Sequence, residues 1–281
     1  MARPILAPSA LLAALGCGPA PAETPPPAAS LAQPFPVYNQ AYAETYAPDA
    51  LSAVLAEAQG AYVLLDPFAE PPPEGWAATV AALRARGNEV GAYVSIGTGE
   101  DWREDFAALR PFLVTTPWDE WGGEYFVSST EGALPLMTAR LDRVAAWGFD
   151  WVELDNMDWA LDDAARRAYG VAATAADGVA YSRALCRHAQ ALGLRCMAKN
   201  VTEGAEAFDG VLYESYPDAL DWWDRAGALG FARAGKPVIV VHYGEADCAG
   251  VQDRYRAAYG DALSVLCEDL GLRRYVRLGA R

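Results

Sequence analysis

Basic nitrogen is scarce in this chain. It has two histidines and two lysines, Lys199 and Lys236, so arginine makes up nearly all of its 22 Lys and Arg residues. Against them stand 37 acidic residues, for a formal net charge of −15. That deficit leaves no basic stripe to neutralise phosphates, which excludes nucleic acid as a partner. Two histidines and no Cys-x-x-Cys provide no zinc-ligand spacing. Ser–His–Asp catalysis has little to work with, and its Gly-x-Ser-x-Gly elbow is also missing. No Gly-x-Gly-x-x-Gly follows a strand-like run, so the dinucleotide fingerprint is absent. No metal and no cofactor are expected.

What is present begins with an export signal. Arg3 precedes an apolar stretch, Ile5 to Leu15, which is too short to span a bilayer but suits a secretory signal. Ala14-Leu15-Gly16-Cys17 is similar to a bacterial lipoprotein cleavage box. Lipid at Cys17 would be the chain's only tie to a membrane, with ordinary signal cleavage nearby as the alternative. Residues 1–17 are thus read as a signal peptide. Residues 18–34, with six prolines, are read as a stiff linker. Residues 35–281 are read as the single folded domain. The expected location is extracytoplasmic, either secreted or lipid-anchored at the bacterial surface. An acidic surface of this kind serves solubility or attracts a cationic substrate.

Four further cysteines, Cys186, Cys196, Cys248 and Cys267, are an even number in an exported chain and suggest disulfides. Sequence proximity favours Cys186–Cys196 and Cys248–Cys267, although three pairings and buried free thiols all remain open. Because arginine supplies nearly every positive charge, a lysine marks a place where a compact ammonium is wanted.

From residue 35 onward short apolar runs alternate with amphipathic stretches. Strands are expected at Phe35–Gln40, Ala61–Asp66, Val90–Ile96, Tyr125–Ser128, Trp151–Asp155, Arg195–Lys199, Gly210–Glu214 and Val238–Tyr243. Helices are expected at Pro48–Gln59, Trp76–Arg86, Leu134–Trp147, Val179–Leu192, Ala219–Ala234 and Ala249–Asp269. Gly87, Gly148, Gly193 and Gly235 stand where helices stop before a strand. Eight strands with intervening helices predict an α/β fold, a single-domain (β/α)8 TIM-type barrel, with an open doubly wound sheet as the alternative.

The strand ends carry polar residues: Asp66, Ser95, Asp155-Asn156, Lys199-Asn200, Glu214 and His242-Tyr243. In a barrel all of these face one mouth, where the loops following the strands converge. The segment Phe149-Asp-Trp-Val-Glu-Leu-Asp-Asn-Met-Asp158 is the densest case. Glu153 and Asp155 project to the same side of a strand, because side chains repeat every second residue. Asp155 at the rim and Glu214 two strands on form the carboxylate pair that glycoside hydrolysis needs. Glu153 is a deeper carboxylate that tunes Asp155, and Asn156 and Asp158 are substrate contacts or supports. Lys199 and Asn200 hold substrate hydroxyls or depress a neighbouring carboxylate. Trp102 and Arg103 follow the third strand, and a Trp there offers a flat face to a sugar ring. Trp118, Trp121, Trp222 and Trp223 are among nine tryptophans, most of them expected to pack. Asp66, Tyr93, Ser95, Glu124 and Tyr243 complete the expected substrate contacts. His242 is expected to be a hydrogen-bonded structural residue, and Lys236 to be structural.

Together these residues resemble glycoside hydrolase family 114, the endo-α-1,4-polygalactosaminidases. Tyr93-Val-Ser95-Ile-Gly97-Thr-Gly-Glu100-Asp-Trp102-Arg103-Glu-Asp105 resembles the family's block after strand three. Trp121-Gly-Gly-Glu124-Tyr125 resembles its Trp…Gly-Glu element. Met137-Thr-Ala-Arg140-Leu141-Asp142 and then Gly148–Asp158 are similar to its longest block, and Lys199-Asn200, Phe208-Asp209…Glu214 and Lys236-Pro-Val to later elements. The resemblance covers residues 35 to 245. It implies a (β/α)8 barrel, no cofactor, catalytic Asp155 and Glu214, and a cationic, partly deacetylated poly-galactosamine as substrate. Three positions depart from the pattern: Tyr213-Glu214-Ser215-Tyr216 for Asn-Glu-Gln-Cys, Val201 for Asp, and Ser128 for Asp. Those departures motivate the alternatives, a non-catalytic polysaccharide-binding barrel or a glycosidase of another amino-sugar polymer.

Overall fold

A computed structural model describes residues 37–39, 48–68, 74–201, 205–215, 225–244, 247–268 and 275–277. All lie within one compact unit, Leu31–Arg281. The signal, Cys17, the proline-rich linker, Tyr216, Trp222 and Trp223 lie outside the described residues.

The strands are β1 (Val37–Asn39), β2 (Tyr62–Leu65), β3 (Glu89–Ser95), β4 (Thr98–Glu100), β5 (Glu124–Phe126), β6 (Trp151–Asp155), β7 (Arg195–Lys199), β8 (Gly210–Ser215), β9 (Val238–Tyr243), β10 (Ser264–Glu268) and β11 (Tyr275–Arg277). The helices are α1 (Pro48–Glu57), α2 (Trp76–Arg84), α3 (Phe106–Leu109), α4 (Thr130–Ala146), α5 (Asp163–Tyr169), α6 (Ala175–Ala191), α7 (Arg225–Arg233) and α8 (Cys248–Tyr259). Eight parallel strands run in the order β1-β2-β3-β6-β7-β8-β9-β10, with β11 added antiparallel to β10. β1 also lies against β10, so the two ends of the parallel run meet, as a (β/α)8 barrel requires. Among the described residues no helix is long and apolar enough to cross a membrane.

Alternation along the strands divides the core in two. Tyr62, Leu64, Tyr93, Trp151, Met197, Leu212, Ile239, Val241 and Leu266 pack inside the barrel. The residues between them, such as Val63, Val152, Leu154, Val211 and Val240, pack outward on the helices. Gly91 leaves the room that Tyr62 fills, since a Cβ there would come within 2.3 Å of the Tyr62 hydroxyl oxygen. Gly87, Gly148, Gly193 and Gly235 all have positive φ and end their helices. Leu194 and Lys236 then close backbone bonds five residues back, to Ala189 and Phe231, the Schellman pattern.

Two expected elements are corrected. Tyr125–Ser128 is not a barrel strand: β5 pairs antiparallel with β4, outside the main sheet. The missing barrel strand is β10, inside what read as one long helix, Ala249–Asp269. That helix stops at Tyr259 before Gly260, at positive φ, and Ser264-Val-Leu-Cys-Glu268 then pairs with β9. Gly260 carried the same stop signal as the other four glycines. α5 was not anticipated either; the Asp162 side chain caps it by accepting from the Ala164 and Ala165 N–H groups.

Both proximity-favoured disulfides are present, Cys186–Cys196 joining α6 to β7 and Cys248–Cys267 joining α8 to β10. Replacing Cys248 and Cys267 together by Ser should lower unfolding stability by about 2–4 kcal/mol, as read from denaturant midpoints under non-reducing conditions. Unchanged midpoints would show that α8 and β10 hold together without the bridge.

Candidate active site

Five consecutive barrel strands present Tyr93, Asp155, Lys199, Glu214 and Tyr243 at their C-terminal ends, on β3, β6, β7, β8 and β9 in that order. Lys199 occupies the middle strand and is 1% exposed. Its Nζ lies 3.4 Å from Asp155 Oδ1 on one flanking strand and 3.3 Å from Glu214 Oε1 on the other. A third carboxylate oxygen, Glu153 Oε1, is 3.3 Å away, one layer deeper on the Asp155 strand. The 3.4 and 3.3 Å contacts to one nitrogen cap the separation of the Asp155 and Glu214 oxygens at 6.7 Å.

Each carboxylate of the outer pair is held from its other side. The Tyr93 hydroxyl and the Asn156 backbone N–H donate to Asp155. Tyr243 OH donates to Glu214 Oε1 at 3.2 Å, and Asn200 Nδ2 donates to Oε2 at 2.8 Å. Asn200 Oδ1 also accepts the Glu214 N–H at 2.9 Å, so one amide brackets both backbone and side chain.

Asn156 and Asn200 are the described non-glycine residues with positive φ, at 62° and 58°. Each follows directly on a strand carrying a site residue. Asn tolerates this left-handed region better than other side chains, and such strain clusters at functional sites. The chain needs the turn there: Ile96 and Gly97 both donate to the Asp155 carbonyl, and a Cβ on Gly97 would fall 1.4 Å from the Asn156 carbonyl oxygen.

One excess ammonium cannot neutralise three carboxylates. Burial and then repulsion from Asp155 and Glu214 push Glu153 up to about 7, against the pull of Lys199. Burial also raises Asp155; Lys199 opposes that, Glu214 adds to it, and the bonds from Asn156 and Tyr93 offset part. Glu153 Oε2 is buried without a hydrogen-bond partner, as suits a carboxyl that holds a proton near neutrality. Glu214 is the most open of the three, its side chain 21% exposed.

A second carboxyl network adjoins the first. Glu124, opening β5, is buried, and its Oε2 accepts from Thr98 Oγ1 at 2.6 Å and Asn156 Nδ2 at 3.2 Å. Asn156 Nδ2 also reaches Ser95 Oγ at 3.0 Å. Burial pushes Glu124 up to about 8, with Glu100 and Asp155 adding to it and Thr98 opposing.

Not every expected contact is free to meet a substrate. Arg103 is buried and forks onto Glu100 and Asp66, with bonds of 2.6 to 3.0 Å. Asp66 is fully buried there and also accepts the Phe68 N–H. These two fasten the end of β2 to the β4 region from behind. Ser95 likewise spends its hydroxyl on Thr98 and Asn156. The side chain of Asp158 lies outside the described residues; its backbone opens a 3-10 turn, Asp158–Leu161. His242 is buried on the outer face against Ser215 Oγ, and Lys236 donates to the Phe208 carbonyl, both structural as expected.

Sequence reading missed Thr98, Glu100 and Arg140. Arg140 is buried, clasps Asp105 with two bonds and reaches the Ser95 carbonyl at 3.2 Å. Its signal was its position: it sits among Met137, Leu141 and Val144 on the buried stripe of α4, where a charge has to have a partner. Of the departures from the family pattern, Ser215, Val201 and Ser128 point away from the carboxylates, while Tyr216 lies outside the described residues. Ser215 faces His242 and Tyr255, Val201 joins the outer core, and Ser128 Oγ accepts the Ala172 N–H.

The model of glycoside-hydrolase family GH114 matches residues 36–279. The crystal structure of Aspergillus fumigatus Ega3 in complex with galactosamine is similar with a TM-score of 0.65 at 22% identity, over 77% of this chain and 87% of that one. The glycoside hydrolase domain of PelA from Pseudomonas aeruginosa gives 0.59 at 16% identity, over 80% and 93%. At such identities these two show a shared fold. An uncharacterised protein of Deinococcus radiodurans is 30% identical over 50% of this chain and 49% of its own length. The chain thus spans about half the length of that relative.

Lys199→Met should cost about 3–5 kcal/mol of stability at neutral pH, because the buried Glu153 and Asp155 and the half-buried Glu214 lose their shared cation. The penalty should shrink toward acid pH as those carboxylates take up protons; a pH-independent penalty in urea unfolding would contradict this arrangement. Glu124 makes a second prediction. Its folded value of about 8 lies above the unfolded one, so the native state binds more protons and stability falls as pH rises toward about 8. Glu124→Gln, which keeps the neutral shape, should flatten part of that slope in melts taken across the same range.

Proposed function

The chain belongs to glycoside-hydrolase family GH114, and from that premise we propose that it hydrolyses an α-1,4-linked galactosamine-containing polysaccharide with Asp155 and Glu214 as its catalytic pair. The observation that carries the pair is their joint hold on Lys199 Nζ from the two flanking strands. One carboxyl donates a proton to the glycosidic oxygen as the bond breaks. The other, ionised, attacks the anomeric carbon. Water then releases the sugar, the first group acting as base.

Retention of configuration is the stereochemical course we propose. The cap of 6.7 Å on one pair of their oxygens is compatible with the roughly 5–5.5 Å of retaining pairs. Lys199 has two roles in this reading. It keeps at least one carboxylate ionised despite burial, and it draws the two carboxyls of the pair toward one point. Glu153 supplies the adjustable charge beneath them. Tyr93, Asn156, Asn200 and Tyr243 orient the pair and line the mouth.

The amino-sugar substrate rests on charge and on likeness. The mouth has more carboxylate than cation, which suits a protonated amine. The similar Ega3 was solved with galactosamine. Against the alternative of a binding-only barrel, the altered Ser215 beside Glu214 faces His242 and Tyr255 and leaves the carboxylates unobstructed. We further propose that the protein acts outside the cytoplasm, exported by residues 1–17 and tethered through residues 18–34 if Cys17 is lipidated, with residues 35–281 as the catalytic domain. Two disulfides support that location.

Asp155→Asn and Glu214→Gln should each lower kcat on partly deacetylated poly-galactosamine by about 1,000-fold or more, a loss of at least about 4 kcal/mol in transition-state stabilisation. Proton NMR should show the α-anomer as first product. Full activity in both variants would sink the pair, and a β-anomer first would sink retention. Azide added to Asp155→Ala and Glu214→Ala identifies the nucleophile, since the variant lacking it should yield a glycosyl azide of inverted configuration.

A further inference from the structure

Three large apolar side chains are exposed among the described residues: Trp102, Trp121 and Leu192. Leu192 ends α6, and a single exposed leucine is ordinary. The two tryptophans are different. They are 51% and 52% exposed, and both belong to the segment between β4 and β5. Other described tryptophans are used in packing: Trp76, Trp151 and Trp159 are buried, Trp118 leans on Phe126 and Trp147 on Phe68.

The backbone brings the two together where the ends of this segment meet beside the turn 121–124. Asp101 N–H donates to the Gly123 carbonyl at 2.9 Å, and Glu124 N–H to the Trp121 carbonyl at 3.0 Å. Gly123 has φ of 94°, and a Cβ there would come within 2.9 Å of the Trp102 ring. The glycine therefore lets Trp102 lie against the turn that carries Trp121. The charge around them has one sign. Asp101, Asp119 and Glu120 are exposed and have no ion-pair partner among the described residues. The adjacent Glu104 and Asp105 are matched by Arg143 and Arg140. The next residue of the turn, Glu124, points back to Asn156 beside Asp155.

We infer that this turn is a second carbohydrate-binding surface, an aromatic and acidic platform that holds the flanking residues of a cationic amino-sugar chain whose scissile bond lies at Asp155 and Glu214. Pyranose rings offer a C–H face that stacks on indole, and protonated amines on the same chain meet the unpaired carboxylates. A neutral glycan would use the rings alone. The inference deepens the hydrolase reading by giving it a subsite one side chain beyond the catalytic mouth, and its substrate class rests on that reading.

The test uses the full chain carrying Asp155→Asn, so that polymer is bound without being cut. Titration calorimetry with soluble de-N-acetylated poly-galactosamine should show binding about tenfold weaker when Trp102→Ala and Trp121→Ala are added, and mostly recovered with Phe at both positions. Asp101→Asn, Asp119→Asn and Glu120→Gln together should weaken binding of that polymer about threefold or more and flatten its dependence on salt, while leaving the N-acetylated polymer unaffected. With Asp155 restored, the double Ala variant should lose the preference in kcat/KM for long polymer over trisaccharide, through KM. Circular dichroism melts check that each variant is folded. Equal polymer affinity for the double Ala variant and its parent overturns the platform, as does a parent that binds no polymer. If the losses occur but the chain with Asp155 intact releases no reducing ends, the platform stands and the hydrolase reading falls.

Discussion

A single buried ammonium sets the terms for this active site. Lys199 stands on the middle strand of five and faces carboxylates from the strands on either side and from the layer beneath. Three buried carboxylates without it would repel one another and could stay in the fold only by taking up protons. With it, two can be brought within the reach that glycosidic chemistry demands while their charge stays adjustable. In a chain with so few lysines, a compact ammonium is placed where one nitrogen meets three carboxylates from the two flanking strands.

Around that centre the supports are symmetric. A tyrosine on the next strand out steadies each carboxylate of the proposed pair, Tyr93 for Asp155 and Tyr243 for Glu214. An asparagine in left-handed conformation follows β6 and β7, and each returns its amide toward the site. Behind one side of the mouth, Arg103 and Arg140 bind Asp66, Glu100 and Asp105 into a buried ionic wall. That wall anchors the β4–β5 region, which brings Glu124 to Asn156 and holds two tryptophans outward. The chemistry and the exposed aromatic surface are therefore joined by a rigid connection.

The electrostatic character is consistent from the interior to the rim. The Lys199 cluster carries more carboxylates than cations, Glu124 adds a carboxyl with a raised pKa, and the turn above has unpaired acids. Such a field attracts a polycation, and it weakens as acid pH protonates the buried groups.

Much of the frame was legible locally. Apolar runs marked seven of the eight parallel strands, glycines marked the helix ends, and polar residues at the strand ends marked the mouth. These signals are carried by near neighbours: the alternation of a strand, the left-handed stop of a helix, the Asn that such a turn tolerates. What the chain alone left undecided depends on distant partners. Whether Tyr125 or Val265 joins the barrel is decided by which edge each segment meets, and both runs are equally short and apolar. Arg103 and Trp102 are adjacent in sequence and read alike as substrate contacts. The fold buries one against Asp66, 37 positions away, and leaves the other in solvent. Asp155 and Glu214 could be selected as a pair from sequence; that they share one nitrogen is decided by barrel curvature, which turns neighbouring strands inward onto a common point.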